Sequence, residues 1–123
     1  MRYSSDYSPP APSLKIRFTA PLSTRSTELQ AKLDTGADIT VLPQHVIGEL
    51  RLIPSSRVSV SSFDGREDWK YTYFVNLSFQ HFDFPMTEVI GARRRDALLG
   101  RDVLNKVKAI LDGKERSFDL LDP

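Results

Sequence analysis

Apolar and polar side chains alternate along much of this chain with a period of two. In "LKIRFTAPL", Leu14, Ile16 and Phe18 alternate with Lys15, Arg17 and Thr19, the pattern of a half-buried strand, until Pro21 removes a ladder donor. "TELQAKLD" repeats the alternation as far as Asp34, and the β-branched run "ITVLP" begins a second strand soon after, so a tight turn is expected at Asp34-Thr35-Gly36. "SSRVSVSSFDGREDWKYTYFVNLSF" reads as two strands around Asp64-Gly65, a dipeptide that supplies the positive φ of a hairpin turn. "FDFPMTEVIG" and "DALLG" are further strands, and "RSFDLLDP", after a turn at Asp112-Gly113, closes the chain as another. Helical signals are few. "PQHVIGEL" predicts a short helix begun by Pro43, and "RDVLNKVKAIL" sets Val103, Leu104 and Val107 at helical spacing with Asp102 as N-cap. With strands predominant and no repeat at a long fixed period, the pattern predicts a small, mostly β domain.

Composition narrows this further. Residues 1–13 mix serine, proline and tyrosine without periodicity and predict a flexible N-terminal arm, leaving 14–123 as the folded domain. A chain of 123 residues, 40% hydrophobic, has room for one modest core. Its net charge of +1, from 17 basic and 16 acidic side chains, creates no broad field for nucleic acid or an anionic membrane, so neither is expected as a partner. The absence of cysteine excludes disulfides, thiolate metal sites and a cysteine nucleophile. No apolar run approaches the roughly 20 residues of a membrane helix, and "MRYSSDYSPPAPS" lacks a signal core, which predicts a soluble cytoplasmic protein. His45 and His81 have no partner at a metal-ligand spacing, and the glycines form no phosphate loop, so no metal or cofactor is expected. No Gly-x-Ser-x-Gly elbow supports a serine hydrolase, and Arg93 to Arg95 read as a solvated loop.

The remaining chemistry lies at Asp34. An aspartate before Thr-Gly is ordinarily a turn former, because it hydrogen-bonds its own downstream backbone. Its setting argues for more. Leu33 before the turn, with Ala37, Ile39, Val41 and Leu42 after it, would hold the carboxylate at the edge of a core, which a simple connection does not require. "LDTGADITVLP", the "FDG" hairpin and above all "ALLGRDVLN" together resemble the retropepsins, the retroviral-type aspartic proteases, and most closely their small stand-alone cellular members. The resemblance runs from about Leu14 to Leu120 and follows the family's order of elements.

The resemblance implies a closed acid-protease β-barrel with one short C-terminal helix, and an aspartic endopeptidase acting on polypeptide substrates. Peptide hydrolysis without metal or cysteine needs a base for water and an acid for the carbonyl oxygen or amine, and two close carboxylates sharing one proton supply both. The chain carries only one Asp-Thr-Gly, so the resemblance implies a homodimer in which each chain contributes Asp34. It also implies that Thr35 braces the two loops across the dimer axis and that Gly36 lets backbone approach the carboxylates. Ala37 and Asp38 would line the cleft, and Ser62, Phe63, Asp64 and Gly65 would form a flap over substrate. Leu99, Gly100 and Arg101 would support the loop from beneath, Gly100 by a close crossing and Arg101 by pairing with Asp38. Viral members weave both chain ends into an interface sheet, and their flaps are commonly glycine-rich and apolar at the tip, whereas "SSFDGRED" has one glycine and several charges. The alternative is a retropepsin fold kept as a peptide-binding or dimerisation module with little turnover. Trp69, Tyr71 and Tyr73, alternating on the returning strand, are expected on one face.

Overall fold

The computed structural model describes residues 1–61 and 64–122. Strand β1 (Ser13–Thr19) buries Leu14, Ile16 and Phe18 and turns back antiparallel onto β2 (Ser26–Leu33), with Ile16 opposite Leu29. After the Asp34 turn come β3 (Thr40–Pro43), buried at every position, and helix α1 (Gln44–Glu49), which places Val46 and Ile47 in the core. The long hairpin strands β4 (Pro54–Ser61) and β5 (Glu67–Phe79) follow, then β6 (Phe82–Ala92) and the three-residue β7 (Ala97–Leu99).

The strands close on themselves. Their order is β1-β2-β7-β3-β6-β5, and the far end of β5 returns to β1 through Phe18 opposite Leu77, which completes a six-stranded barrel. Strand β4 hangs from β5 outside that circuit. Closure removes the free edges that an open sheet of this size would present. The barrel is filled by side chains from every wall, among them Ile16, Phe18, Leu42, Val75, Leu77, Val89 and Leu99, and each buried Leu, Ile or Phe contributes about 1.5–3 kcal/mol.

The chain end departs from the periodicity of "RDVLNKVKAIL". Helix α2 covers only Arg101–Leu104, and Lys108–Asp112 forms strand β8, paired antiparallel with β9 (Ser117–Leu121). Val103 and Leu104 are buried as their spacing requires, but Lys108–Asp112 pairs along its whole length with β9 across the Asp112-Gly113 turn, and pairing overrides helix propensity. Asp102 is also not the N-cap. Gly100 occupies that position in an extended conformation, and Asp102 lies in the first turn. At the other end, Arg2 bridges Ser117, Ser4 bridges Ala11, and the Tyr7 hydroxyl donates to Asp96 Oδ2 at 2.5 Å.

Candidate active site

Asp34 stands where β2 leaves the barrel. Its amide donates to Leu99 O at 3.0 Å and its carbonyl accepts from Ala37 N at 3.2 Å, so both ends of the turn are tied to neighbouring backbone. The carboxylate accepts from the Gly36 amide at 2.9 Å through Oδ1, which leaves Oδ2 for other partners. A Cβ on Gly36 would lie 3.2 Å from that same Oδ1, tighter than ordinary packing. Glycine leaves that space to the Asp34 carboxylate. Thr35, Gly36 and Asp38 are exposed on this single chain, while Asp34 and Ala37 are half-buried.

The support beneath the loop comes from β7. It lies parallel to β2, with Leu33 opposite Leu99, and antiparallel to β3, with Val41 opposite Leu98, so it fills the gap between the strands that carry the loop. Gly100 then crosses directly under the turn. A Cβ there would meet Ile39 C at 2.8 Å, Ile39 O at 2.9 Å and Ala37 O at 3.0 Å, all of them backbone atoms that cannot swing away. The next residue clamps the loop: Arg101 N donates to Ala37 O at 2.8 Å and its Nη1 to Thr35 O at 2.6 Å, while Nη2 pairs with Asp38 Oδ1. With side-chain exposures of 84% for Asp38 and 45% for Arg101, the ion pair itself contributes about 0–1 kcal/mol, so its value lies in orientation.

Two further residues complete this support and were not assigned to the site from the sequence. Buried Thr40 accepts from Gly100 N at 3.1 Å and donates through Oγ1 to Asp102 Oδ1 at 2.8 Å, and its amide donates to Asp102 Oδ2 at 3.1 Å. Asp102 thus spends its carboxylate on β3 and, through Oδ1, on the Val103 amide. The signal that could have found the pair is a buried-type threonine inside an otherwise apolar run, which needs a polar partner somewhere.

Beside the loop lies a cleft of about 520 Å³ lined by Asp34, Ala37 and Asp38 of the turn, by Val58 to Ser61 of β4 and by Ile90 of β6. The hairpin tip carries Asp64 and Gly65, whose φ of +84° is the turn conformation expected from the dipeptide, and the Asp64 carboxylate accepts from Arg66 N at 3.1 Å. Ser62 and Phe63, assigned with them to substrate contact, lie outside the described residues. Pairing fixes the faces of the hairpin. Val58 and Val60 stand opposite Lys70 and Asp68, whereas Trp69 and Tyr71 stand opposite Ser59 and Arg57. Residues directly opposite share a face, so the two aromatic rings lie on the face turned from the valines that wall the cleft. They are 69% and 55% exposed, and the Arg57 guanidinium sits 5.7 Å from the Trp69 ring centroid.

Residues 21–106 match the family described as "gag-polyprotein putative aspartyl protease". The chain belongs to this family, the retropepsin-like aspartic proteases. Among solved structures, EIAV protease in complex with the inhibitor HBY-793 is similar at 20% identity and a TM-score of 0.61, over 85% of this chain and 92% of that one. The retroviral protease-like domain of Ddi1 from Leishmania major is similar at 16% identity and a TM-score of 0.53, over 87% and 86% of the two chains. A retropepsin-like aspartic protease from Rickettsia conorii shares 13% identity at a TM-score of 0.52, over 84% and 88%. No curated protein sequence matches significantly. At these identities the likeness is one of fold, and this retropepsin-like chain shares with them the mostly β, closed-barrel architecture. Among the described residues no helix is long and apolar enough to cross a membrane.

Proposed function

We propose that this chain is an aspartic endopeptidase that works as a homodimer, each subunit supplying Asp34. The observation that carries the reading is a carboxylate oriented by the Gly36 amide at the wall of a peptide-sized cleft, in a chain with a single Asp-Thr-Gly. One acid group cannot act as base toward water and acid toward the carbonyl oxygen in the same step; two across an axis, sharing a proton, can. In this scheme Thr35 braces the paired loops, and Gly36 keeps backbone close to the carboxylates. Ala37 and Asp38, with Ser62, Phe63, Asp64 and Gly65 of the flap, hold an extended polypeptide substrate. Leu99, Gly100 and Arg101 keep the loop in place, joined by Thr40 and Asp102. The half-buried Val58 and Val60 suit apolar substrate side chains, since the flap face they occupy looks onto the cleft.

The test is cleavage of a mixed peptide library from acidic to neutral pH by the wild-type chain and by Asp34→Asn. The expected result is cleavage by the wild type and a loss of at least about a hundredfold in the variant, the scale of a removed general acid–base group. Equal activity in both would remove Asp34 from the mechanism. A well-folded dimer with no cleavage at any pH would instead favour the peptide-binding module.

A further inference from the structure

Two non-glycine residues with positive φ line the same groove, away from the Asp34 turn. Leu22, at φ +56°, follows Pro21 in the connection from β1 to β2, and Arg51, at φ +53°, follows helix α1. Glycine or asparagine is the usual choice at both places. A turn led by proline favours one of them at its next position. Arg51 holds the left-handed position of a helix stop in which Leu52 N donates to Ile47 O and Arg51 N to Gly48 O, both at 3.1 Å. Packing does not offset the strain. Leu22 is fully exposed, and the exposed Arg51 side chain makes no hydrogen bond or ion pair among the described residues. A leucine and an arginine held in this conformation, side by side and without a structural return, point to a use outside the fold.

The groove they line has a volume of about 380 Å³, within the range of ligand sites. Buried Ala20 and half-buried Leu52 and Phe74 supply the covered part of its lining, and Leu22 and Ile53, the latter 81% exposed, supply the open part. Its charged lining residues are Arg25 and Arg51. Arg25 Nε donates to Leu50 O at 3.1 Å, which fixes the guanidinium and leaves its Nη groups to other partners. Neither arginine forms an ion pair among the described residues. The two segments that frame the groove, 19–27 and 50–61, carry Arg25, Arg51 and Arg57 as their only charged residues. The local field is therefore positive although the whole chain is nearly neutral. No lining residue is shared with the Asp34 cleft, yet Pro54 begins β4, the strand whose Val58 and Val60 line that cleft.

We propose that this groove docks a segment of a partner polypeptide in which an apolar side chain is flanked by carboxylates. The apolar side chain enters between Leu22 and Ile53 and packs on Phe74, while the carboxylates meet Arg25 and Arg51. Guanidinium suits that task, because its parallel N–H donors match the two oxygens of a carboxylate. A basic segment would be repelled, and a purely polar one would leave the apolar lining uncovered. The concave shape favours one inserted side chain over a lipid surface, which is entered by apolar tips that project rather than by a hollow. The site is separate from the Asp34 chemistry. Binding here needs neither turnover nor a second copy of the chain, and it holds a partner at the root of the flap strand while the cleft stays open.

The test uses the full chain carrying Asp34→Asn as parent, so that peptides are bound without being cut. An array of peptides with a central Leu, Ile, Phe or Met between pairs of Asp or Glu is probed beside two control arrays. One control has Lys in place of the acids, the other Ser in place of the apolar residue. The acidic-apolar array should bind at least about tenfold more tightly than either control, the scale of one buried leucine, and its binding should weaken with salt. Leu22→Asn and Arg51→Asn should each lower affinity about five- to tenfold without lowering the melting temperature, because asparagine suits the left-handed conformation better than leucine or arginine. A residue of purely structural value would show the reverse. Arg51→Lys, which keeps the charge, should bind more tightly than Arg51→Asn. No preference for the acidic-apolar array, or equal binding by the parent and both asparagine variants, would overturn the docking groove and leave the Asp34 proposal untouched. Co-sedimentation with phosphatidylserine vesicles by the parent but not by Leu22→Asn, with no array bound, would overturn it too and assign these loops to a membrane.

Discussion

Gly100 is the residue whose replacement reports most directly on the loop above it. Its amide donates to Thr40 Oγ1, and the space where a Cβ would sit is taken by the backbone of Ile39 and Ala37. Gly100→Ala therefore forces the Asp34 loop away from β7, with an expected loss of about 1–3 kcal/mol of stability by chemical denaturation. An unchanged denaturation midpoint would show that the crossing is looser than the distances state. At this scale much of the candidate site was legible beforehand. The Asp34-Thr35-Gly36 turn, the close crossing at Gly100 and the pairing of Arg101 with Asp38 were each expected from short stretches of sequence together with their likeness to a family, and each has its counterpart in the geometry. Thr40 and Asp102 escaped because their partnership spans 62 residues and because Asp102 carries a convincing local signal as a cap. A side chain that can satisfy either its own helix or a distant strand is decided by tertiary packing, which no window of sequence contains.

At the scale of elements, the period-two strands were the easiest to read because each buries one face of an alternating pattern. The last third was harder. The residues from Lys108 to Leu111 continue a helical stripe as readily as they form a short apolar strand, and only the partner β9 decides between them. The N-terminal segment is a second such case. Composition alone reads residues 1–13 as an arm, while the structure sets Tyr7 against Asp96 at the start of β7 and brings the Lys32 ammonium to 5.2 Å from the Tyr7 ring centroid. Burial, and after it the hydrogen bond to Asp96, raises the phenol above its ordinary 10.0. A group whose folded value is raised favours its protonated form in the fold, so this contact contributes fully below pH 10 and is lost as pH rises through the raised value. The expected outcome is an alkaline loss of thermal stability that Tyr7→Phe diminishes, read from melting temperatures between pH 8 and pH 11. Identical pH profiles for variant and wild type would show that Tyr7 does not dock the segment.

The whole molecule is a barrel closed by the return of β5 to β1, with one open hairpin above and one uncovered strand at its end. Closure gives a rigid wall on which the Asp34 turn can be held, and β4 and β5 extend from that wall across the cleft. What one chain does not contain is a second Asp-Thr-Gly. The proposed chemistry is therefore a property of two chains, and the sharpest test asks whether activity counts chains singly or in pairs. Wild-type protein is mixed with Asp34→Asn at constant total concentration, under conditions where subunits exchange freely, and peptide cleavage is measured against the wild-type fraction. The account predicts a square-law fall, to about one quarter of full activity in an equimolar mixture, because only dimers with two intact carboxylates turn over. A linear fall, to about one half, would mean that each chain hydrolyses substrate by itself and would contradict the shared site.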